Sequence, residues 1–111
     1  VITLWHNYGG QMENSMNNLV EEFNSTVGKE QGIIINITSI SSSSALYDKI
    51  TASANNDPGS SELPNITTGY PKSALTLMKK DKLVDLNQYF TKDELDSYIP
   101  RFVEEGIISD Q

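Results

Sequence analysis

The chain opens on Val1 to His6 (V-I-T-L-W-H), a β-branched and aromatic segment short enough for a strand. A turn follows at Asn7-Tyr8-Gly9-Gly10. Beyond it Met12, Met16, Leu19, Val20, Phe23 and Val27 fall at spacings of 4, 3, 1, 3 and 4. That spacing predicts one face of an α-helix and leaves Glu13, Asn17, Asn18, Glu21 and Glu22 for water. Gly28 and Gly32 can end this helix. Ile33 to Ile40 reads as a second strand, apolar at its start and alternating later. Any of Ser41 to Ser44 can cap the next helix, in which Leu46, Ile50 and Ala54 lie four apart with Tyr47 beside them.

Asn55 to Ser61 is a loop by composition, and after Pro64 the segment Asn65 to Thr68 is a short, polar third strand. Gly69 and Tyr70 turn the chain. Pro71 suits the first helical position, where its missing N–H would be unpaired anyway. Ala74, Leu75, Leu77 and Met78 supply an apolar face, and Lys79 and Lys80 sit at the negative end of the helix dipole. Leu83 to Leu86 is an apolar connector. Thr91 and Glu94 have capping-box spacing and open a short helix that ends before Pro100, where another helix carrying Phe102 and Val103 can start.

Alternation of strand and helix implies an α/β chain: a parallel three-stranded sheet with helices on both faces. In such open sheets ligands bind beyond the carboxyl ends of the strands, where strand order reverses. The residues in those places are Asn7 to Gly10, then Ser41 to Ser44, then Gly69, Tyr70 and Lys72. They are amides, hydroxyls and phenols with a single charge, and helix N-termini add unpaired N–H donors. This chemistry suits a neutral, hydroxyl-rich ligand. The expected contacts are Asn7, Tyr8, Gly9, Ser42, Ser43, Gly69 and Tyr70, the tyrosines packing on the ligand and Asn7 and the serines hydrogen-bonding it.

Composition narrows the partners. Fifteen acidic residues against eight basic ones give a net charge of -7, which repels nucleic acid and anionic membrane surfaces. No apolar run approaches the roughly 18 residues of a membrane span. Cysteine is absent and His6 is the one histidine, which removes thiolate sites, multi-histidine metal sites and His-based triads within this sequence. Neither a dinucleotide fingerprint, a phosphate loop nor a G-x-S-x-G elbow occurs, so no catalytic residue, metal or cofactor is expected.

Other features read as ordinary structure. The acidic pairs Glu21-Glu22, Asp93-Glu94 and Glu104-Glu105 read as solvated surface, because adjacent helical residues do not face each other. Trp5 reads as core and Tyr89 and Tyr98 as packing residues. His6, at a strand end, reads chiefly as structural, with a place near the ligand as the lesser alternative. Glycosylation sequons at Asn24, Asn36 and Asn65 are what ten asparagines produce by chance.

Several of these segments together resemble a known family. Leu4-Trp5-His6-Asn7-Tyr8-Gly9-Gly10 is similar to the "FWH" strand and turn that open many family 1 extracellular solute-binding proteins. These are the sugar and glycerol 3-phosphate binders that feed ABC transporters. Leu19-Val20-Glu21-Glu22-Phe23-Asn24 resembles the family's "LVEEFN" helix end, and Ile33 to Ile40 with Leu46 to Ile50 its second strand and following helix. Leu63-Pro64-Asn65-Ile66 is similar to the "APDV" approach to the third strand, with Asn65 in place of the usual Asp. Lys82 to Tyr89 resembles the "G-L-L-x-P-L-D" stretch.

The resemblance runs over nearly all 111 residues. It implies a two-lobed periplasmic-binding-protein type II fold of roughly three times this length, of which residues 1–111 would be the first part of the N-terminal lobe. On that view the chain begins at Val1 because it has been trimmed upstream. The implied function is non-enzymatic: capture of a sugar or oligosaccharide outside the cytoplasmic membrane and delivery to a membrane permease. The full-length form would be monomeric and lipid-anchored at the cell surface. Gly9-Gly10 lacks the acidic residue that some phosphoglycerol binders carry there, which tilts the reading from glycerol 3-phosphate toward sugars. A fragment of an α/β enzyme would need a nucleophile–base pair, and a receiver-like interaction module a cluster of acids at the strand ends.

Overall fold

The apolar opening segment forms β1 (Ile2–His6), the central strand of a three-stranded parallel sheet in the order β2-β1-β3, in a computed structural model describing residues 1–108. Parallel neighbours need long crossovers, and helices supply them here. Helix α1 (Gly10–Ser25) and the short α2 (Val27–Gln31) lead to β2 (Ile35–Ser39), and α3 (Ser43–Ala54) leads toward β3 (Ile66–Thr67). The chain divides into two compact units, one covering Val1–Gly69 and the other beginning at Tyr70.

Register follows from the pleat. Ile2 pairs with Ile35, Leu4 with Ile37 and with Ile66, so these side chains share one face. Trp5 shares the other face with Thr38 and Thr67. Trp5 is core, as expected, and the Lys49 ammonium of α3 lies 4.7 Å from its ring centroid, which sets α3 against this face. Leu46, Ile50 and Ala54 are buried along α3 as their spacing predicts.

Strand β3 is only two residues long because its flanks pair by other means. Pro64 has no N–H to give. Asn65 donates its backbone N–H to the Thr3 carbonyl, while its side-chain Oδ1 accepts the Thr3 N–H at 2.9 Å. One residue thus serves Thr3 with backbone and side chain together.

The first helix stops earlier than its apolar pattern implies. The Ser25 and Thr26 hydroxyls both donate back to the Glu22 carbonyl, at 3.1 and 2.6 Å. Such local bonds compete with helix propagation, and Thr26 breaks the axis at φ -116°, ψ -94°. Gly28 therefore lies inside α2 and does not end a helix. It is glycine because a Cβ there would meet the Ile33 carbonyl oxygen at 2.5 Å. Gly32, at φ 72°, is the left-handed residue that closes α2. The Ile33 N–H completes that cap on the Gly28 carbonyl, so β2 begins at Ile35, later than expected.

Side-chain directions on α1 also depart from the expected stripe. Met16, Val20 and Phe23 turn inward with Asn24, whereas Met12, Leu19 and Val27 are exposed. The polar bond of Asn24 accounts for the rotation: its carboxamide accepts the Ile35 N–H at 2.8 Å and donates to the Ile35 carbonyl at 3.0 Å. Holding Asn24 against β2 swings the helix so that Leu19 faces out.

In the second unit, α4 (Pro71–Lys79) starts with Pro71 in its first turn and buries Ser73 and Leu77, leaving Leu75 outside. A 3-10 turn (Leu86–Gln88), α5 (Lys92–Asp96) and α6 (Pro100–Glu105) follow. The expected capping box is present: Thr91 Oγ1 accepts the Glu94 N–H and Glu94 Oε1 accepts the Thr91 N–H. Tyr89 and Tyr98 are exposed, against the expectation of packing roles. Each follows an element of five residues or fewer, too short to define a buried stripe.

Candidate functional site

The strand order reverses at β1: the chain moves to one side to make β2 and returns to the other to make β3. The carboxyl end of β1 is therefore flanked by those of both neighbours. On one side the Ile40 N–H bonds the His6 carbonyl at 2.8 Å, and Ser41 and Ser42 lead into α3, which Ser43 opens. On the other, the Thr68 N–H bonds the Trp5 carbonyl at 3.1 Å, and Gly69 follows. The topology thus brings Asn7, Tyr8 and Gly9 beside Ser42 and Ser43 on one flank and Gly69 on the other. Tyr70 opens the second unit as the exposed N-cap residue of α4.

The side chains of this rim are uncharged and of mixed exposure. Asn7 is half-buried, and its Oδ1 accepts the Thr68 hydroxyl at 3.4 Å, a long bond that a better donor can replace. Tyr8 is half-buried; its N–H donates to His6 Nδ1 at 3.0 Å, and its ring stacks on the imidazole at 5.5 Å between centroids and 27° between planes. Gly9 is exposed and extended, with no atom within 4 Å of where a Cβ would stand. Gly10 takes φ 58°, a turn that glycine makes without strain.

The two helix N-termini at this rim differ. Ser42 caps α3: its Oγ accepts the Ala45 N–H at 3.1 Å and lies 3.1 Å from Ser44 Oγ. The serine is thus partly spent on the fold, and Ser43 beside it is exposed. Gly9 caps α1 and brings no side chain, so no side-chain cap satisfies the first-turn N–H groups. A 16-residue helix with open N–H donors favours an oxygen-bearing group at that point.

Two residues matter here that the sequence reading left outside the site. Thr68 reads from the sequence as the last residue of the third strand, but the strand ends at Thr67 and the Thr68 hydroxyl reaches Asn7. His6 is fully buried beneath the turn and holds Tyr8 by both backbone and ring. Its position as last residue of a strand before a polar turn was the available signal.

Among the described residues no group of three or more His, Asp or Glu side chains converges as a metal site. No helix among them is long and apolar enough to cross a membrane. The chain matches no model of a known protein family and no curated protein.

Proposed function

We propose that this chain captures a neutral, hydroxyl-rich solute, a sugar or oligosaccharide, at the carboxyl end of β1. The observation that carries the reading is the uncapped N-terminus of α1 at the point of strand-order reversal, rimmed by uncharged Asn7, Tyr8, Ser43 and Gly69. Open N–H groups and amide and hydroxyl side chains exchange hydrogen bonds with sugar hydroxyls, and a half-buried tyrosine ring offers an apolar platform. By the right-handed crossover rule, the connections to β2 and β3 run on opposite faces of the sheet, which leaves this crevice open between them.

Catalysis has less support. His6 already spends Nδ1 on a backbone N–H, and the sequence has no cysteine to pair with it. In the larger setting that the family resemblance implies, the chain forms the first part of the N-terminal lobe of an extracytoplasmic solute-binding protein. That protein is lipid-anchored, closes two lobes on its ligand and hands it to an ABC permease.

The test is a thermal-shift screen of the two-lobed protein against sugars, oligosaccharides and glycerol 3-phosphate. A ligand at 100 times its Kd stabilises the folded state by about 2.7 kcal/mol. A sugar that raises Tm in the parent, and does so less in Tyr8→Ala, is the expected result. Cooperative melting with no shift from any compound would remove the proposal, and an unchanged Tyr8→Ala response would remove Tyr8 from the site.

A further inference from the structure

We propose that His6 has two tasks divided between its ring nitrogens. Nδ1 positions Tyr8, and Nε2–H is the donor of a buried site for a neutral oxygen, supplied by a bound water or by a ligand hydroxyl. Nδ1 accepts the Tyr8 N–H at 3.0 Å. A nitrogen that accepts a hydrogen bond carries no proton, so in this geometry the ring's proton is on Nε2. His6 has 0% of its surface exposed, and Nε2 is buried with no partner among the described residues. A buried donor left unmatched is costly, and in folded proteins such groups are matched by protein or by ordered water.

Thr51 Oγ1 and Ser53 Oγ are also buried without partners, but their case differs. A helical hydroxyl can rotate onto the carbonyl four residues back. The imidazole has no such move. Turning it over would break the bond to the Tyr8 N–H by putting a carbon where Nδ1 stands. The ring is therefore fixed, and the acceptor has to come to it. A neutral oxygen fits because Asn7, Tyr8 and the register partner Ser39 are all uncharged. An anion would be desolvated there without a counter-charge. The ligand source rests on the carbohydrate reading above; the water source stands without it.

Long-range proton–nitrogen spectra of the 15N-labelled 111-residue chain report which ring nitrogen is protonated. The expected result is the Nε2–H tautomer, with a nuclear Overhauser contact from that proton to water. Maltose then separates the sources. A water contact that persists identifies water, and one replaced by contacts to sugar protons identifies the ligand. Failure of the carbohydrate reading would appear as a spectrum insensitive to maltose with the water contact intact. A proton on Nδ1, or an Nε2–H in contact with neither water nor sugar, overturns the proposal.

Two variants test the division of tasks in folded protein. His6→Asn keeps an acceptor near Nδ1, and His6→Gln keeps a donor near Nε2. The Tyr8 amide signal should stay near its parental position in His6→Asn and move in His6→Gln. Equal displacement in both would overturn the positioning role.

Discussion

Replacing Gly28 by alanine sets two effects of known size against each other. Alanine is the better helix former by about 1 kcal/mol, and Gly28 lies within α2. On propensity alone the variant would be more stable. The added Cβ, however, would stand 2.5 Å from the Ile33 carbonyl oxygen, 2.9 Å from the Phe23 carbonyl oxygen and 3.0 Å from Phe23 Cε1. Two of these are backbone atoms and cannot swing aside. Overpacking of this kind costs about 1–3 kcal/mol, and the rigid neighbours favour the upper end. Ile33 must also retreat from Gly28, whose carbonyl accepts its N–H at 2.8 Å, at a further cost of about 1 kcal/mol. The balance is a loss of about 2–3 kcal/mol, or about 8–24 °C in Tm for a unit of this size. Trp5, the one tryptophan, is buried in the same unit, so its fluorescence during urea or thermal unfolding reads the effect directly. A variant as stable as the parent, or more so, would refute the close approach at Gly28.

Three further outcomes follow from named contacts. Asn24→Ala removes both bonds to Ile35 and should cost about 1–3 kcal/mol by urea titration, with Asn24→Asp in between because it keeps only the acceptor; equal stability of all three proteins would contradict the bidentate contact. Ile50→Ala, at a site 1% exposed, should lose about 2–5 kcal/mol, and a loss under 1 kcal/mol would mean that α3 is not packed as described. Thr91→Ala should cost about 1 kcal/mol and speed amide exchange in residues 92–96; unchanged exchange there would show that the capping box does not hold α5.

Much of the fold is legible in the sequence because each element carries its own local signal. The five-residue opening strand, the four-residue spacing of Leu46, Ile50 and Ala54, Pro71 at a helix start and the Thr91–Glu94 box depend on near neighbours. What escaped depends on partners far along the chain or on competition. The early end of α1 is decided by two hydroxyls contending for the Glu22 carbonyl. The inward face of α1 is decided by Asn24 and a backbone 11 residues away, which an apolar count does not register. The shortness of β3 depends on Asn65 reaching Thr3 across 62 residues. At the candidate site the polar turns were legible from strand ends, but the hold of His6 on Tyr8 is a matter of ring geometry that the letters do not carry.

The Asn24–Ile35 contact also bears on the order in which the chain folds. It closes a loop of 11 residues, whereas the pairing of Ile2 with Ile35 closes one of 33 (35 minus 2). Threefold shorter closure is cheaper by about 1 kcal/mol in chain entropy, so the corner of α1 and β2 can form before β1 docks. Alternate residues of a strand point their N–H and C=O groups to opposite edges. With Asn24 already on Ile35, β1 can pair only along the free edge, in a register that keeps Leu4 and Ile37 on a common face. A folding transition state with this corner formed would show mutations at Asn24 mainly slowing folding, and those at β3 mainly speeding unfolding.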